Sequence, residues 1–317
     1  MYLDVLLCRK IDKIKDNLFI DKSISGFQNQ DATTDAFSDK WKQLKEDEDL
    51  KKVNIFQKDW FLKLYGLESE DILKKFLSDK KVILDAGCGV GYKAAWFAEL
   101  NPNSLVIGMD FSESVYQAAE LYKEIPNLIF IRGDIAHTCF KENSLDFINC
   151  DQVIHHTEDP QKTLNHFQSL IVSNGVINVY VYAKKAVPRE MLDDHFRNLC
   201  KEVSKDDLWK LSEQLTELGK RLSELNLKFE CPEIPLLNIK GGEIDIQRFI
   251  YWNFMKIFWN KELGYHNSVL TNYDWYSPAN AYRYSQTEFE EMIKIAQLKS
   301  EFFRTEAACY TARLRKQ

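Results

Sequence analysis

The sequence predicts an α/β fold built on a doubly wound, parallel sheet, and three observations predict it. Short apolar runs alternate with helix-period segments from Val82 to Ala183. A glycine-rich turn, Asp85-Ala86-Gly87-Cys88-Gly89-Val90-Gly91, follows the first of those runs. The α/β pattern resumes at Gln286 after an interruption over residues 184–279. Strands that alternate with helices imply right-handed crossovers and a sheet covered on both faces. Seven strands are marked in all, and the expectation is a doubly wound sheet of the kind that binds a ligand at the carboxyl ends of its strands.

Residues 1–55 are polar and weakly patterned, and the charge-dense stretch Lys45 to Lys52 reads as a solvated loop or helix end. From Phe56 to Leu77, Phe56, Trp60, Leu64, Ile72 and Phe76 recur at helical spacing. The alternating block then reads as strand Val82–Leu84, helix Tyr92–Leu100, strand Leu105–Met109 ending at Asp110, and helix Ser114–Glu124. It continues with strand Leu128–Arg132, a loop containing Gly133-Asp134, strand Asp146–Cys150, helix Gln161–Ile171 and strand Val176–Ala183. A helix over Gln286–Leu298 and strands near Glu301–Thr305 and Ala308–Leu314 close the chain.

The interruption has its own pattern. Leu208, Leu211, Leu215, Leu218, Leu222 and Leu225 are spaced as one apolar seam on one helix. Ile246 to Trp259, with Phe249, Ile250, Trp252, Phe254, Ile257 and Phe258, also reads as helical. Asn272 to Pro278 reads as an aromatic loop.

Composition narrows the function. The 317 residues are 45% hydrophobic and 28% charged, with a net charge of −6, which argues against a broad nucleic-acid-binding face. No apolar run reaches the ~20 residues of a membrane span. The start, Met1 to Cys8, has no basic segment before its short apolar stretch, so a secretory signal is not expected. Seven scattered cysteines include no Cys-x-x-Cys pair, so neither a zinc site nor a disulfide framework is expected. Reduced thiols and a cytoplasmic location are the expectation.

The glycine turn carries the chemistry. Glycines at alternate positions let the backbone turn tightly and approach a ligand. The helix behind them presents free amides and the positive end of its dipole. The spacing Gly87, Gly89, Gly91 departs from the dinucleotide-binding Gly-x-Gly-x-x-Gly, and no Gly-Lys-Ser/Thr follows to make a phosphate loop. An acidic residue at the strand end, Asp85, repels a pyrophosphate and attracts an ammonium, which points to a ligand bearing an amino-acid group.

These residues resemble the signature turn of the class I S-adenosylmethionine-dependent methyltransferases, and the resemblance implies a Rossmann-like sheet of seven strands with the last antiparallel. The resemblance covers Val82 to Ala183 strongly and Gln286 to Arg313 weakly, and the later pieces fall in that family's order. It implies that Asp85, Ala86, Gly87, Cys88, Gly89 and Gly91 hold the methionine end of S-adenosyl-L-methionine. It implies that Asp110, 19 residues after Gly91, holds the ribose hydroxyls, with Phe111 and Ser112 beside it. Asp134 would bond the adenine amino group, flanked by Gly133 and Ile135. The stretch Cys150-Asp151-Gln152-Val153-Ile154-His155-His156-Thr157-Glu158-Asp159-Pro160 resembles the family's His-His-x-x-Asp-Pro loop, which adds Asp151 and Gln152 to the cofactor set. Phe37 to Trp41 and Gln57 to Gly66 are similar to a leader that forms helices over the cofactor in a subgroup, so Trp41, Trp60, Phe61 and Tyr65 are lid candidates.

Simpler readings stand beside these. Asp110 also suits a helix N-cap, Cys88 reads as small filler rather than a nucleophile, and the aromatic residues also suit plain packing. His155 and His156 are candidates for a base, since histidine suits proton removal from a hydroxyl near neutral pH; lining the site or anchoring the loop is the other role open to them. A metal pair is not expected, because adjacent side chains point apart and no third ligand is evident.

The implied organisation is a leader and helical lid at residues 1–78, a cofactor-binding domain at 79–183 and 280–317, and a helical acceptor cap at 184–279. Tyr65, Tyr251, Tyr273, Asp274, Trp275 and Tyr276 are candidates to line the acceptor pocket. The expected activity is methyl transfer to a small-molecule acceptor, at oxygen first and nitrogen next. An RNA-modifying methyltransferase and a non-catalytic cofactor-binding partner subunit are the rival readings. Neither membrane nor nucleic acid is the expected partner, and the leucine seam leaves a homodimer open.

Overall fold

A computed structural model describes residues 3–23, 28–43 and 48–316. Met1, Tyr2 and the first part of the charge-dense stretch from Lys45 lie outside the described residues; from Glu48 onward that stretch is helical backbone. The chain begins with helix α1 (Leu3–Leu6), strands β1 (Asp12–Lys15) and β2 (Leu18–Ile20), and helices α2 (Gln28–Lys42), α3 (Glu48–Leu64) and α4 (Glu70–Leu77). Next come β3 (Val82–Ala86), α5 (Tyr92–Leu100), β4 (Leu105–Asp110), α6 (Ser114–Leu121) and β5 (Leu128–Arg132). Then follow β6 (Leu145–Cys150), α7 (Pro160–Leu170) and β7 (Ile171–Ala183). Helices α8 (Val187–Cys200) and α9 (Lys205–Glu224), strands β8 (Lys228–Cys231) and β9 (Gly242–Asp245), and helices α10 (Ile246–Asn253) and α11 (Gly264–Tyr276) follow. The last elements are β10 (Arg283–Tyr284), α12 (Gln286–Ile295), β11 (Leu298–Thr305) and β12 (Cys309–Lys316).

By internal contact the chain divides into two units. One comprises Met1–Lys42, Asn54–Ala183 and Asn280–Gln317; the other comprises Gln43–Val53 and Lys184–Ala279. In the first unit, ten strands among the described residues form one sheet, ordered β1-β2-β5-β4-β3-β6-β7-β12-β11, with β10 beside β7. From β2 to β7 the neighbours are parallel. Strand β12 pairs antiparallel with both β7 and β11. The seven expected strands are all present, and β1, β2 and the two-residue β10 are additions to them.

The N-terminal leader therefore holds more than helices. Strands β1 and β2 form a hairpin, and Leu18 to Ile20 pair in parallel with Phe130 to Arg132 at the sheet edge. Only three consecutive apolar residues, Leu18-Phe19-Ile20, mark that strand in the sequence, too few for a period to register. Strand β7 starts five residues earlier than expected, because Ile171 leaves α7 already extended.

Alternate strand residues feed two cores, one on each face of the sheet. Leu84, Ile107, Ile148, Phe167 and Phe289 pack on the face that α7 and α12 cover. Ile83, Phe97, Val106, Phe130 and Phe147 pack on the other, beneath residues of α3 to α6. Phe61 and Leu64 of α3, and Tyr65 in the turn just after it, belong to this second core and are fully buried. That end of α3 is packed core as well as a lid candidate.

Strand order reverses at β3. The chain goes from β3 to β4 and β5 on one side, then returns to place β6 on the other. In open α/β sheets, ligands bind at the carboxyl ends of strands where the order reverses. Here those ends are Asp85-Ala86 and Cys150-Asp151.

The second unit corrects three expectations. Helix α10 stops at Asn253 rather than running to Trp259. The segment beyond it is held in non-helical form by Gln247 Nε2 donating to the Ile257 carbonyl (2.8 Å) and by Asn272, which accepts from Phe258 N (2.8 Å) and donates to the Phe258 carbonyl (3.0 Å). The expected aromatic loop over Asn272 to Tyr276 is helical, as the end of α11. Pro278 stops that helix one residue after its C-cap Ser277, as a proline beyond a helix end does.

The leucine seam on α9 is split. Leu208, Ser212, Leu215, Thr216 and Gly219 are buried, whereas Leu218 and Leu225 face solvent. The buried stripe packs on α11 through small residues, and Thr216 Oγ1 accepts from Asn272 Nδ2 at 2.8 Å. No helix among the described residues is long and apolar enough to cross a membrane.

Candidate functional site

The glycine turn closes over the carboxyl ends of β3 and β4. Gly87 N and Cys88 N donate to the Met109 carbonyl at 2.7 and 3.1 Å, and Gly89 N donates to Asp110 Oδ2 at 2.8 Å. Gly87, Gly89 and Gly91 all have positive φ, at 78°, 55° and 82°. At Gly87 a Cβ would collide with Val153, so the turn needs glycine for space as well as for conformation. At Gly89 a Cβ would lie 2.8 Å from the Trp41 ring, so Trp41 of α2 lies against the turn.

Asp85 ends β3 and is 3% exposed. In the sheet register it lies opposite Asn149 of β6, whose Nδ2 donates to Asp85 Oδ1 at 2.7 Å. The other oxygen, Oδ2, is buried with no hydrogen-bond partner among the described residues. Burial raises the carboxyl, against Lys93 and Asn149, and leaves its pKa at about 6. A buried acceptor with no donor is expensive, so this oxygen is poised for a cation or a hydrogen-bond donor. Ala86 is buried beside it, and the Cys88 thiol is held neutral well above its ordinary pKa by burial, with Asp110 and Asp85 adding to the effect.

Asp110 is half-buried at the end of β4. Its Oδ1 accepts from Ser112 N (2.8 Å) and Ser112 Oγ (2.6 Å), and its Oδ2 accepts from Gly89 N. Phe111 follows it, half-buried, with its carbonyl accepting from Arg132 Nε at 3.3 Å. Asp134, after β5 and Gly133, caps a 3-10 turn by accepting from Ala136 N at 2.8 Å, and its Oδ2 lies 3.2 Å from His137 Nδ1. Ile135 is buried in that turn.

Asp151 follows β6 and anchors a buried polar cluster. Its Oδ1 accepts from Tyr65 Oη at 2.9 Å, and its Oδ2 pairs with Lys93 Nζ and lies 3.3 Å from Gln152 Nε2. Gln152 has φ of 67°, an unusual backbone for that residue. Tyr65 is fully buried, and burial together with Asp151 raises its hydroxyl well above the ordinary value, so it stays a neutral donor.

His155 and His156 lie on a 3-10 turn over Ile154–His156 and are both buried. His155 Nδ1 is 3.3 Å from the Tyr180 carbonyl, and His156 Nδ1 is 2.7 Å from the Asn280 carbonyl. A carbonyl only accepts, so Nδ1 carries the proton in each ring, and Nε2 is the basic nitrogen of the neutral form. Aromatic rings surround the pair: Tyr182 sits 3.8 Å from His155 and 5.5 Å from His156, centroid to centroid, and Phe37 sits 5.0 Å from His156.

The remaining acceptor candidates belong to the second unit. Tyr273 is buried and stacks on Trp209 with centroids 3.7 Å apart, Tyr276 Oη donates to the Lys256 carbonyl at 3.2 Å, and Trp275 is buried beneath Arg189 and Lys256. Tyr251 is buried, and Asp274 is half-buried on α11. Among the described residues no group of three or more His, Cys, Asp or Glu side chains is placed to hold a metal ion.

With this geometry in place, the relatives are informative. Residues 77–229 match the family model described as a methyltransferase domain. That match covers just under half of the chain, and the likeness it carries is to a methyltransferase domain. An uncharacterised methyltransferase of Schizosaccharomyces pombe is 32% identical over 121 residues, which is 35% of this chain and 42% of that one. A ubiquinone biosynthesis O-methyltransferase of Coxiella burnetii is 30% identical over 97 residues, covering 30% of this chain and 41% of that one. The chain thus spans less than half the length of either relative. The PKMT2 structure of Rickettsia typhi, solved with AdoHcy, shares the fold at a TM-score of 0.51 and 17% identity, over 76% of this chain and 50% of that one.

The site fits the methyltransferase cofactor on its own terms. A buried carboxylate with one unpartnered oxygen suits the ammonium of its amino-acid end, and the glycine turn leaves room for close backbone approach. Two contributors escape a reading of the sequence. Asn149 reads as strand filler, and only the register puts it beside Asp85. Lys93 looks like a surface lysine, but it sits in a helix whose residues from Ala94 to Ala98 are all buried, and that was the available signal.

Proposed function

We propose that this methyltransferase transfers a methyl group to a small-molecule acceptor, with oxygen favoured over nitrogen as the accepting atom. The observation that carries the reading is the unpartnered, buried Asp85 Oδ2 at the strand-order reversal, beside a turn of three positive-φ glycines. Bound there, S-adenosylmethionine supplies a methyl group on a sulfonium, so the protein's task is to bind, orient and deprotonate. Asp85 and the turn from Ala86 to Gly91 hold the amino-acid end, and Asp110, with Phe111 and Ser112, holds the ribose. Gly133, Asp134 and Ile135 border the adenine, Asp151 and Gln152 close the methionine side, and Trp41 covers the turn.

The preference for oxygen rests on the histidines. In each ring a backbone carbonyl fixes the proton on Nδ1, which presents Nε2 as a base for a hydroxyl acceptor. The net charge of −6 supports a small acceptor over a nucleic acid. Calorimetric titration tests the cofactor: S-adenosylhomocysteine binds in the micromolar range, and binding of NAD in its place would sink the reading. With a hydroxyl acceptor in hand, His156→Gln is expected to lower kcat by about 10²- to 10⁴-fold and to leave S-adenosylhomocysteine affinity unchanged. A kcat within threefold of wild type for both His155→Gln and His156→Gln would remove the histidines from the chemistry.

A further inference from the structure

Lys93 is buried to 9% exposure one residue into α5, directly behind the glycine turn. A lysine is rarely buried without a partner, because burying its charge costs several kcal/mol. Its partner is Asp151, whose other oxygen is taken by the hydroxyl of Tyr65, one residue beyond α3. Burial pulls the Lys93 ammonium down, but Asp151, with Tyr92 and Asp85 behind it, more than offsets this and leaves the pKa raised. Lys93 is therefore a fixed positive charge.

That charge acts on Asp85. A protonated Asp85 would offer a donor to an incoming ammonium, which is itself only a donor, so recognition needs the ionised form. Burial opposes ionisation, and the negative charges of Asp151 and Asp110 oppose it further. Cys88 of the turn, Tyr92 of α5 and Cys150 of β6 also lie near, but burial raises all three and keeps them neutral. Asn149 of β6 contributes one hydrogen bond. Lys93 is the cation that works against this field. Asp85, Asp151 and Lys93 together carry one surplus negative charge, which an arriving ammonium neutralises.

We infer that Lys93 is a positioning residue for the cofactor: clamped by Asp151, its ammonium holds the Asp85 carboxylate in the charged form that receives the amino group of S-adenosylmethionine. This rests on the assignment of Asp85 under the proposed function. The Tyr65 hydroxyl fixes the other side of Asp151 and ties the clamp to the turn that follows α3.

The test is a pH series of S-adenosylhomocysteine titrations on wild type, Lys93→Arg, Lys93→Met and the double variant Lys93→Met/Asp151→Asn. The double variant avoids stranding Asp151 as a lone buried charge, so it folds even where Lys93→Met fails. Wild type and Lys93→Arg are expected to lose less than about twofold in affinity between about pH 8.5 and 6.5, and the double variant about fourfold, the change expected of a rise of about one unit at Asp85 from about 6. A profile parallel to wild type, at the same or a uniformly lower affinity, would overturn the inference; the absolute level in the double variant also reflects the loss of Asp151 from the methionine side, so the slope with pH is what is read. Failure of wild type to bind at any pH would instead remove the cofactor assignment. Carboxyl NMR of the ligand-free proteins reads the Lys93 effect in either case: the Asp85 midpoint is higher in the double variant, and an unchanged midpoint overturns the inference.

Discussion

Asp85→Asn is expected to raise the melting temperature of the ligand-free protein while lowering its affinity for S-adenosylhomocysteine by about 30-fold or more. The carboxyl has a pKa of about 6 in the fold against an ordinary 3.8, because burial penalises its charged form. The folded state thus holds this proton more tightly than the unfolded chain does. Stability from this group is fully present below the ordinary value and is lost as pH rises through about 6. At pH 8 the ionised carboxylate costs the fold up to about 3 kcal/mol, which asparagine avoids. The gain is expected to be near zero at pH 4, to grow between pH 4 and 6, and to level off above, with a plateau of several degrees. Asparagine keeps an oxygen for Asn149 Nδ2 but presents an amide where an ammonium must dock. Losing one side of a buried charge pair costs about 2–5 kcal/mol, so affinity falls by about 30-fold or more. Scanning calorimetry across pH, paired with titration at pH 8, checks both halves. A variant less stable than wild type at pH 8, or one that binds within threefold of it, would refute the role given to Asp85.

The buried charge at Asp85 also explains why the turn stands out in the sequence. Functional sites break local rules, and Asp85 at the end of an apolar strand is such a break. The alternation from Val82 to Ala183 was legible because its strands are short buried apolar runs and the segments between them are of helix length, with α7 amphipathic. Elements too short or too mixed for a period were not. Strand β2 has three residues and gains its place from pairing with Phe130 to Arg132. The end of α11 holds Asn272, Tyr273, Asp274, Trp275 and Tyr276, a composition that reads as loop. It is helical because Tyr273 stacks on Trp209 and Asn272 bonds Thr216, and tertiary packing overrides propensity.

Within the site, the residues to which the resemblance assigns ligand contacts stand out in the sequence, and the residues that set their charge and tautomer do not. Asn149 reaches Asp85 across 64 residues of sequence, and His156 meets the Asn280 carbonyl across 124. Spacing along the chain carries no trace of such pairings. They depend on which strands neighbour β3 and on where the chain returns to the sheet after the second unit.

Asp110→Ala is expected to weaken S-adenosylhomocysteine binding by about 10²- to 10³-fold, through two separable losses. The carboxylate organises the protein side, because it accepts from Gly89 N, Ser112 N and Ser112 Oγ. Alanine leaves the Gly89 amide without its acceptor and frees a turn whose Gly89 already sits at a φ of 55°. Hydrogen bonds to a charged group contribute about 1.5–3 kcal/mol each, so losing the turn contact alone accounts for about tenfold or more. The remaining loss is the ribose contact, and a double-mutant cycle isolates it. Wild type and Asp110→Ala are each titrated with S-adenosylhomocysteine and with its 2′-deoxy analogue. The deoxy analogue is expected to bind wild type at least tenfold more weakly than the parent, and the variant is expected to bind the two alike. Equal penalties for the missing hydroxyl in both proteins would leave Asp110 with the turn alone and move ribose recognition to another residue. Asp110→Asn separates the cases further: one oxygen serves either Gly89 or Ser112, so binding falls between wild type and alanine, and the preference for the hydroxylated ligand is retained in part.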